Sequence, residues 1–472
     1  MAEKLPDINT HFADWYNDVV YKAELADHSP VRGAVVIRPY GWSLWEHIRD
    51  TLDTKIKKTG TQNAAFPLFI PMSFFEKEAK HVEGFSPELA VVTHAGGKKL
   101  EEPLVVRPTS ETVIHYMFSK WIKSWRDLPL KINQWANVVR WEMRPRAFLR
   151  TTEFFWQEGH TAHATQDEAH DFAVHMLNEY FDLITNYLAI PAIKGVKSES
   201  EKFAGADKTY TIETLMRDGK ALQMCTSHLL SQNFAKAFDM QFQDTEGKLA
   251  YPHLTSWGAT TRFVGAVVMV HGDEKGLVLP PRVAPIQVVI IPILRGEQKD
   301  AVLTFVRDMA TTLQAHGVRV HLDADEHKTP GAKFYEYELK GVPLRIEVGP
   351  RDIAKQEVIL ASRLGGKESV PMHDLSTTLL EKLDNFHNQL YTAADERLKS
   401  QWYKGEKLAN FGKELEKIGG FWQTGYCGSS ACEQQLKQYK ATVRCILQDA
   451  TFTTCFNCDT QSNNDVLVAK SY

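Results

Sequence analysis

The sequence predicts an α+β body of antiparallel strands flanked by helices over residues 1–283. An α/β domain over 284–395 and a small C-terminal α+β module over 396–472 follow it. Three observations carry this reading. Strands in the first part are joined by hairpin-length loops, which favours antiparallel pairing. After residue 285 apolar strands alternate with amphipathic helices. Five of the six cysteines lie from Cys427 onward. The 472 residues exceed what one core usually holds.

Taken in order, Trp15, Tyr16, Val19, Val20 and Leu25 fit one helix face, and residues 31–41 read as a strand entering a turn. Residues 66–71 form a short apolar strand framed by prolines. Thr109 and Ser110 precede a helix with Val113, Met117, Trp121 and Trp125 on its apolar side. Two strands are expected over 132–143 and 151–163, with Arg144, Pro145 and Arg146 in the loop between them. Thr165 and Glu168 match a capping box ahead of a helix burying Phe172, Leu177, Phe181, Ile184 and Leu188. Residues 258–281 read as an apolar helix and loop, and 279–285 as a linker. Beyond it come strands in "QVVIIPI", "VRVHLD", "VPLRIEV" and "EVILASR", with a helix ending at Gly317. From about Ser376 a charged helical segment leads into the cysteine-rich end.

Hydrophobic residues make up 43% and charged residues 24%, an ordinary soluble balance, and no apolar run reaches membrane-spanning length. Cytoplasmic placement and no membrane partner are the expectation. A net charge of −4 argues against a surface that coats nucleic acid throughout, while leaving room for a local basic patch. No P-loop or G-x-G-x-x-G fingerprint follows a strand, so a nucleotide would need another kind of site.

Strand periodicity puts Arg140 and Glu142 on one face of their strand and Arg150, Trp156, Glu158 and His160 on one face of theirs, so that one side of a sheet would present all six. Such charges are costly to bury unless a ligand or each other satisfies them, and arginine forks suit phosphate. A salt-bridged polar sheet face accounts for the same pattern equally well. "RPTSE" (107–111) taken alone reads as helix capping, His228 in "QMCTSHL" as a structural histidine, and Arg262 as a solvated helix end. Cys427 and Cys432 (C-x4-C) with Cys455 and Cys458 (C-x2-C) match a structural tetrahedral zinc site. Cys445 and Cys225 read as buried thiols.

In these residues the chain resembles the prolyl-tRNA synthetases, of the archaeal and eukaryotic-like branch. Residues 138–163 resemble motif 2 of class II aminoacyl-tRNA synthetases, 66–75 motif 1, and 256–285 motif 3. "RPTSE" resembles the proline-recognition segment, 333–352 the anticodon-binding domain, and the cysteine-bearing end the C-terminal zinc domain. The resemblance implies ATP-dependent ligation of L-proline to proline tRNA through a prolyl-adenylate, with ATP, Mg2+ and structural Zn2+, and a homodimer. It implies catalytic roles for Arg140 and Arg262. It places the proline pocket at Thr109, Glu111, Arg140, Trp156, His228 and Ser256. ATP contacts fall at Arg140, Glu142, Arg150, Thr151, Gln223, Thr226, Thr260 and Arg262, with Gln223 and Thr226 also near magnesium. Arg345, Glu347, Arg351 and Lys367 are candidates for reading the anticodon.

Two departures from the family pattern stand out. Residues 163–258 hold too little chain for the editing domain of the usual bacterial branch, so some activation of alanine or cysteine is expected. Thr152 stands where many relatives carry a second arginine. The competing readings are a non-catalytic RNA-binding or amino-acid-sensing paralogue, a zinc-dependent nucleic-acid binder, and a synthetase for threonine, glycine or histidine.

Overall fold

The computed structural model describes residues 4–79, 89–142, 145–294 and 296–472. The expected Met143 and Arg144 therefore lie outside the described residues.

The body is built on an antiparallel run of six strands: Ile193–Val196, Lys208–Leu215, Ala221–Ser231, His253–Thr260, Glu153–His163 and Leu130–Val139. Period-2 alternation splits the residues of Glu153–His163 between two environments. Gln157 and Gly159 face the helical layer. Tyr180 donates to Gln157 there at 2.5 Å, and a Cβ at position 159 would collide with the Trp257 indole. Trp156, Glu158 and His160 face the other way, into an open cavity. The helical layer comprises Phe12–Lys22, Pro39–Lys58, Gln166–Asp182 and Arg262–His271. Together these bury one large apolar cluster that includes Trp15, Tyr16, Ile48, Tyr180 and Phe263. A second cluster around Phe118, Phe234 and Leu254 closes the far end of the cavity face.

Several elements differ from their sequence patterns for local reasons. Residues 31–41 give only the strand Val35–Ile37, because Pro39 starts a helix at its first turn, where its missing N–H and fixed φ are favourable. The two central strands are shorter than expected, ending at Val139 and starting at Glu153. Trp121 and Trp125 are 45% and 41% exposed. Ser124 caps a new turn, Trp125–Asp127, so the helix stops at Trp121 and buries Val113, Ile114 and Phe118 instead. Residues 279–285 are no loose linker. Leu279, Val283 and Ala284 are buried, and Leu277 N–H and Leu279 N–H donate to Leu339 and Gly341 carbonyls. Thr165 caps its helix, accepting from Glu168 N–H at 3.3 Å; among the described residues the reciprocal Glu168 bond of a full capping box is absent.

The second domain is a five-stranded sheet, ordered Val320–Leu322, Val288–Pro292, Leu344–Val348, Glu357–Ser362 and Lys367–Pro371; the first three strands are parallel. The cysteine-bearing module does not stand apart. Its strand Thr442–Ile446 pairs with Ile193–Val196, so its four strands join the body's sheet, which numbers eleven with the short parallel strand Gln62–Asn63 at the other edge. A buried ionic group reinforces that seam. Glu213 accepts from Lys197 Nζ at 2.7 Å and from Arg444 Nε and Nη2 at 3.1 and 3.0 Å. The last residue is docked: Tyr472 N–H donates to the Ala221 carbonyl and its hydroxyl to Asp218. Among the described residues no helix is long and apolar enough to cross a membrane.

Candidate active site

A cavity of about 440 Å³ opens on the polar face of the antiparallel run. Strand register orders its floor. His160, Ser256 and His228 are cross-strand neighbours at one end. Glu158, Gly258 and Thr226 follow in the middle, and Trp156 pairs with Thr260 at the other end. Gly258 leaves the middle of that floor without a side chain; a Cβ there would sit 3.2 Å from the Gln157 carbonyl and 3.7 Å from the Trp156 ring. A strand glycine of this kind marks where another group approaches the backbone closely.

The 107–111 segment forms one wall, and every residue of it is fixed. Arg107 donates from Nε to the Asn137 carbonyl and from Nη1 to the Phe66 carbonyl, both at 2.8 Å. The Pro108 carbonyl accepts from Arg140 Nε at 3.0 Å. Thr109 donates to the Glu111 carboxylate. Ser110 occupies the helix N-cap position but makes no side-chain cap. Its hydroxyl instead donates to Glu158 at 2.5 Å, so the capping expectation for this segment is corrected.

The charges are arranged as a ligand site needs them. The Arg140 guanidinium lies 5.4 Å from the centres of both the Phe154 and Trp156 rings. Burial lowers its proton affinity, against the pull of Glu111 and Glu158. Arg150 pairs with Glu142 at 3.3 Å. Among the described residues, Arg262 has no carboxylate in its hydrogen-bond shell. Nη1 donates to the Gln223 carbonyl at 2.9 Å, and Nε and Nη2 to Leu149 at 3.3 Å. Burial, helped by the neighbouring Arg150 charge, pushes its pKa down to about 10. Arg262 is therefore a half-buried cation held by backbone carbonyls rather than a solvated helix end. His228 has Thr209 Oγ1 3.0 Å from Nδ1 and Thr226 Oγ1 2.9 Å from Nε2. Burial and the His160 charge push its pKa down to about 3, so it is neutral. Trp156 Nε1, His160 Nδ1 and Ser256 Oγ are buried without partners among the described residues, which leaves polar capacity for a ligand.

All thirteen residues expected at the proline and ATP positions line this one cavity. Phe203 and Thr209 line it too and were not legible. Phe203 sits in an irregular loop with no periodic pattern, held by its N–H donating to Thr209 Oγ1 at 2.9 Å. Thr152 is buried with its backbone N–H on the Gly33 carbonyl and takes no part in the cavity. Tyr472 also stays outside it, its ring 5.4 Å from the Arg146 guanidinium.

Elsewhere, Cys427, Cys432, Cys455 and Cys458 place their sulfurs within 4.8 Å of one another, while Cys445 is buried apart from them. Cys427 Sγ lies 3.8 Å from Cys432 Sγ and 3.7 Å from Cys458 Sγ. Tetrahedral zinc with Zn–S bonds near 2.3 Å requires sulfur separations of about 3.8 Å. The donor set fits that ion. In the second domain Glu347 accepts from Arg345 at 3.1 Å and from Lys367 at 2.6 Å. Arg351, expected with them, is exposed on the next helix, Pro350–Lys355.

Three family profiles match the chain: tRNA synthetase class II core domain (G, H, P, S and T) over residues 93–271, anticodon binding domain over 287–382, and prolyl-tRNA synthetase, C-terminal, over 408–472. The chain is 47% identical to proline–tRNA ligase 2 of Clostridioides difficile, over all of this chain and 98% of the relative. The chain belongs to the prolyl-tRNA synthetases. This synthetase is also 51% identical to a proline–tRNA ligase of Amoebophilus asiaticus, over 94% of both chains. A crystal structure of prolyl-tRNA synthetase from Cryptosporidium parvum, complexed with halofuginone and AMPPNP, superposes with a TM-score of 0.93 at 42% identity, covering 99% of each chain. The class II core, the anticodon-binding domain and the C-terminal cysteine cluster agree with the α+β, α/β and α+β units expected from sequence.

Proposed function

We propose that the cavity activates proline with ATP and then hands it to tRNA, with the residues named above in the following roles. The chain is a proline–tRNA ligase, and its near full-length identity to proline–tRNA ligases is the observation that carries this reading. Thr109 and Glu111 receive the secondary ammonium of proline, Trp156 packs against the pyrrolidine ring, and His228 and Ser256 close the far end. Arg140 bridges the proline carboxylate and the ATP α-phosphate. Attack of the carboxylate oxygen on the α-phosphorus forms prolyl-adenylate and releases pyrophosphate. Fixed cations stabilise the charge that develops there, so Arg140 and Arg262 are assigned that work. Glu142, Arg150, Thr151, Gln223, Thr226 and Thr260 hold the nucleotide. Oxygen donors of Gln223, Thr226 and Glu142 suit Mg2+, which supplies Lewis-acid neutralisation of phosphate when bound. A terminal ribose hydroxyl of tRNA then attacks the adenylate carbonyl and expels AMP. No side-chain nucleophile is required.

The C-terminal cysteines hold structural zinc in this reading, and Arg345, Glu347 and Lys367 meet the anticodon, with Arg351 as a peripheral contact. The three-unit division 1–283, 284–395 and 396–472 is supported by separate apolar clusters in the last two units. The helix Leu375–Ser400 runs across their boundary. Exposed Phe69 and Val91 on the small sheet of Phe69–Pro71, Ala90–Ala95 and Lys98–Val106 suit a homodimer face. The cytoplasm is the setting in which such a ligase meets tRNA. Residues 164–257 fold into the body itself, which supports the absence of an internal editing domain. The test is charging: purified chain with ATP and Mg2+ should transfer labelled proline to proline tRNA, and failure to do so would overturn the assignment.

A further inference from the structure

Glu158 carries no role in the activation steps above, yet this carboxylate in the cavity wall is densely bonded. It is 2% exposed. Oε1 accepts from the Ser110 hydroxyl at 2.5 Å and from Gln134 Nε2 at 2.9 Å. Oε2 accepts from Ser110 N–H at 3.2 Å and lies 3.1 Å from His160 Nε2. Burial alone would raise this carboxyl, but the bonds from His160, Ser110 and Gln134 hold it below the usual range, so it is ionised. An anion at this point also faces the N-terminus of the helix Glu111–Trp121, where negative charge is favoured.

The consequence lies in the neighbours of Ser110. In the 107–111 segment, Thr109 and Glu111 line the cavity and Ser110 does not. Ser110 is fully buried; Glu158 accepts from both its hydroxyl and its amide, and Gln134 Nε2 donates to the same hydroxyl at 3.2 Å. Holding Ser110 therefore sets where Thr109 and Glu111 stand, one on each side of it. We propose that Glu158, oriented by His160 and Gln134, is a positioning residue that sets amino-acid recognition by clamping Ser110. This rests on the reading of Thr109 and Glu111 as acceptors for the proline ammonium. Misplacing such a pair by about 1 Å is worth on the order of a hundredfold in rate or affinity.

The test uses the full-length enzyme and two single variants, Glu158→Gln and Ser110→Ala, with their double combination. KM values for proline and for ATP are read separately by pyrophosphate exchange, alongside the melting temperature of each variant. Glu158→Gln should raise the proline KM by about tenfold or more and leave the ATP KM within about twofold. Ser110→Ala, which touches no substrate, should raise the proline KM by about threefold or more, and the double variant should match Glu158→Gln alone. Three results overturn the proposal: an unchanged proline KM in Ser110→Ala, additive effects in the double variant, or proline and ATP KM values that rise together. An unaltered enzyme without proline-dependent exchange would instead sink the functional reading on which the proposal rests.

Discussion

Replacing Arg262 with glutamine should leave the ligand-free chain about as stable as before, or more so, while removing most of its response to ATP. Arg262 is held by the carbonyls of Gln223 and Leu149, with no carboxylate hydrogen-bonded to it among the described residues. Its pKa is pushed down to about 10 from 12.5. At about 1.4 kcal/mol per tenfold change, that depression costs the charged, empty protein about 3 kcal/mol at neutral pH. The cost is present below pH 10 and fades above it, because deprotonation relieves it. Against this, glutamine forfeits two or three hydrogen bonds of about 1 kcal/mol each. The two contributions nearly cancel, so the free chain shifts by no more than about 2 kcal/mol. In the proposed role the same cation meets phosphate when ATP binds, so losing a charge-assisted bond of about 1.5–3 kcal/mol should weaken binding roughly 10- to 150-fold. ATP at a hundred times its Kd stabilises the native enzyme by about 2.7 kcal/mol. At that ATP concentration a variant weakened a hundredfold keeps only about 0.4 kcal/mol of it. Thermal unfolding with and without ATP reads both quantities. A variant that melts several degrees lower when empty, yet keeps the full ATP-induced rise, would refute the reasoning.

Three further outcomes follow from other parts of the molecule. Purified chain should carry about one zinc per polypeptide, and Cys427→Ser with Cys455→Ser should bring metal content near zero; elemental analysis showing zinc retained would contradict the four-sulfur site. Burial would raise the Glu213 carboxyl, but Lys197 and Arg444 overcome this and hold it below its ordinary 4.5. Its stabilisation is thus complete above pH 4.5 and lost as pH falls through the folded value. The urea midpoint should be steady from neutral pH down to about 5 and drop below that, with a shallower drop in Glu213→Gln, itself weaker by about 3–5 kcal/mol at pH 7; equal slopes would contradict the pairing. Alanine lacks two ring carbons of proline, roughly 2–6 kcal/mol of discrimination, so alanine-dependent exchange should be weaker by a factor of about 30 to 10⁴ and still measurable.

Patterns with a short period were legible in the chain. The alternation of Trp156, Glu158 and His160 marked a sheet face, and the C-x4-C and C-x2-C pairs marked a four-sulfur cluster, because both depend on neighbours within a few residues. The helix face assigned to Trp121 and Trp125 failed because apolar spacing alone does not register Ser124 starting a new turn. Long-range pairings left no local trace. Ile446 meets Val196 and Arg444 meets Glu213 only in the folded chain, so the fusion of the cysteine module with the body's sheet was invisible in the sequence. The partners of Ser110 and Arg262 were hidden for the same reason: Glu158 and the Leu149 and Gln223 carbonyls are 39 to 113 residues away.

The central claim is that this cavity activates proline. Exchange of labelled pyrophosphate into ATP by the purified enzyme, run in parallel with proline, alanine, threonine, glycine and histidine, tests it most directly. The account predicts fast exchange with proline, slow exchange with alanine and none above background with the other three. Exchange driven by threonine, glycine or histidine in place of proline would contradict it.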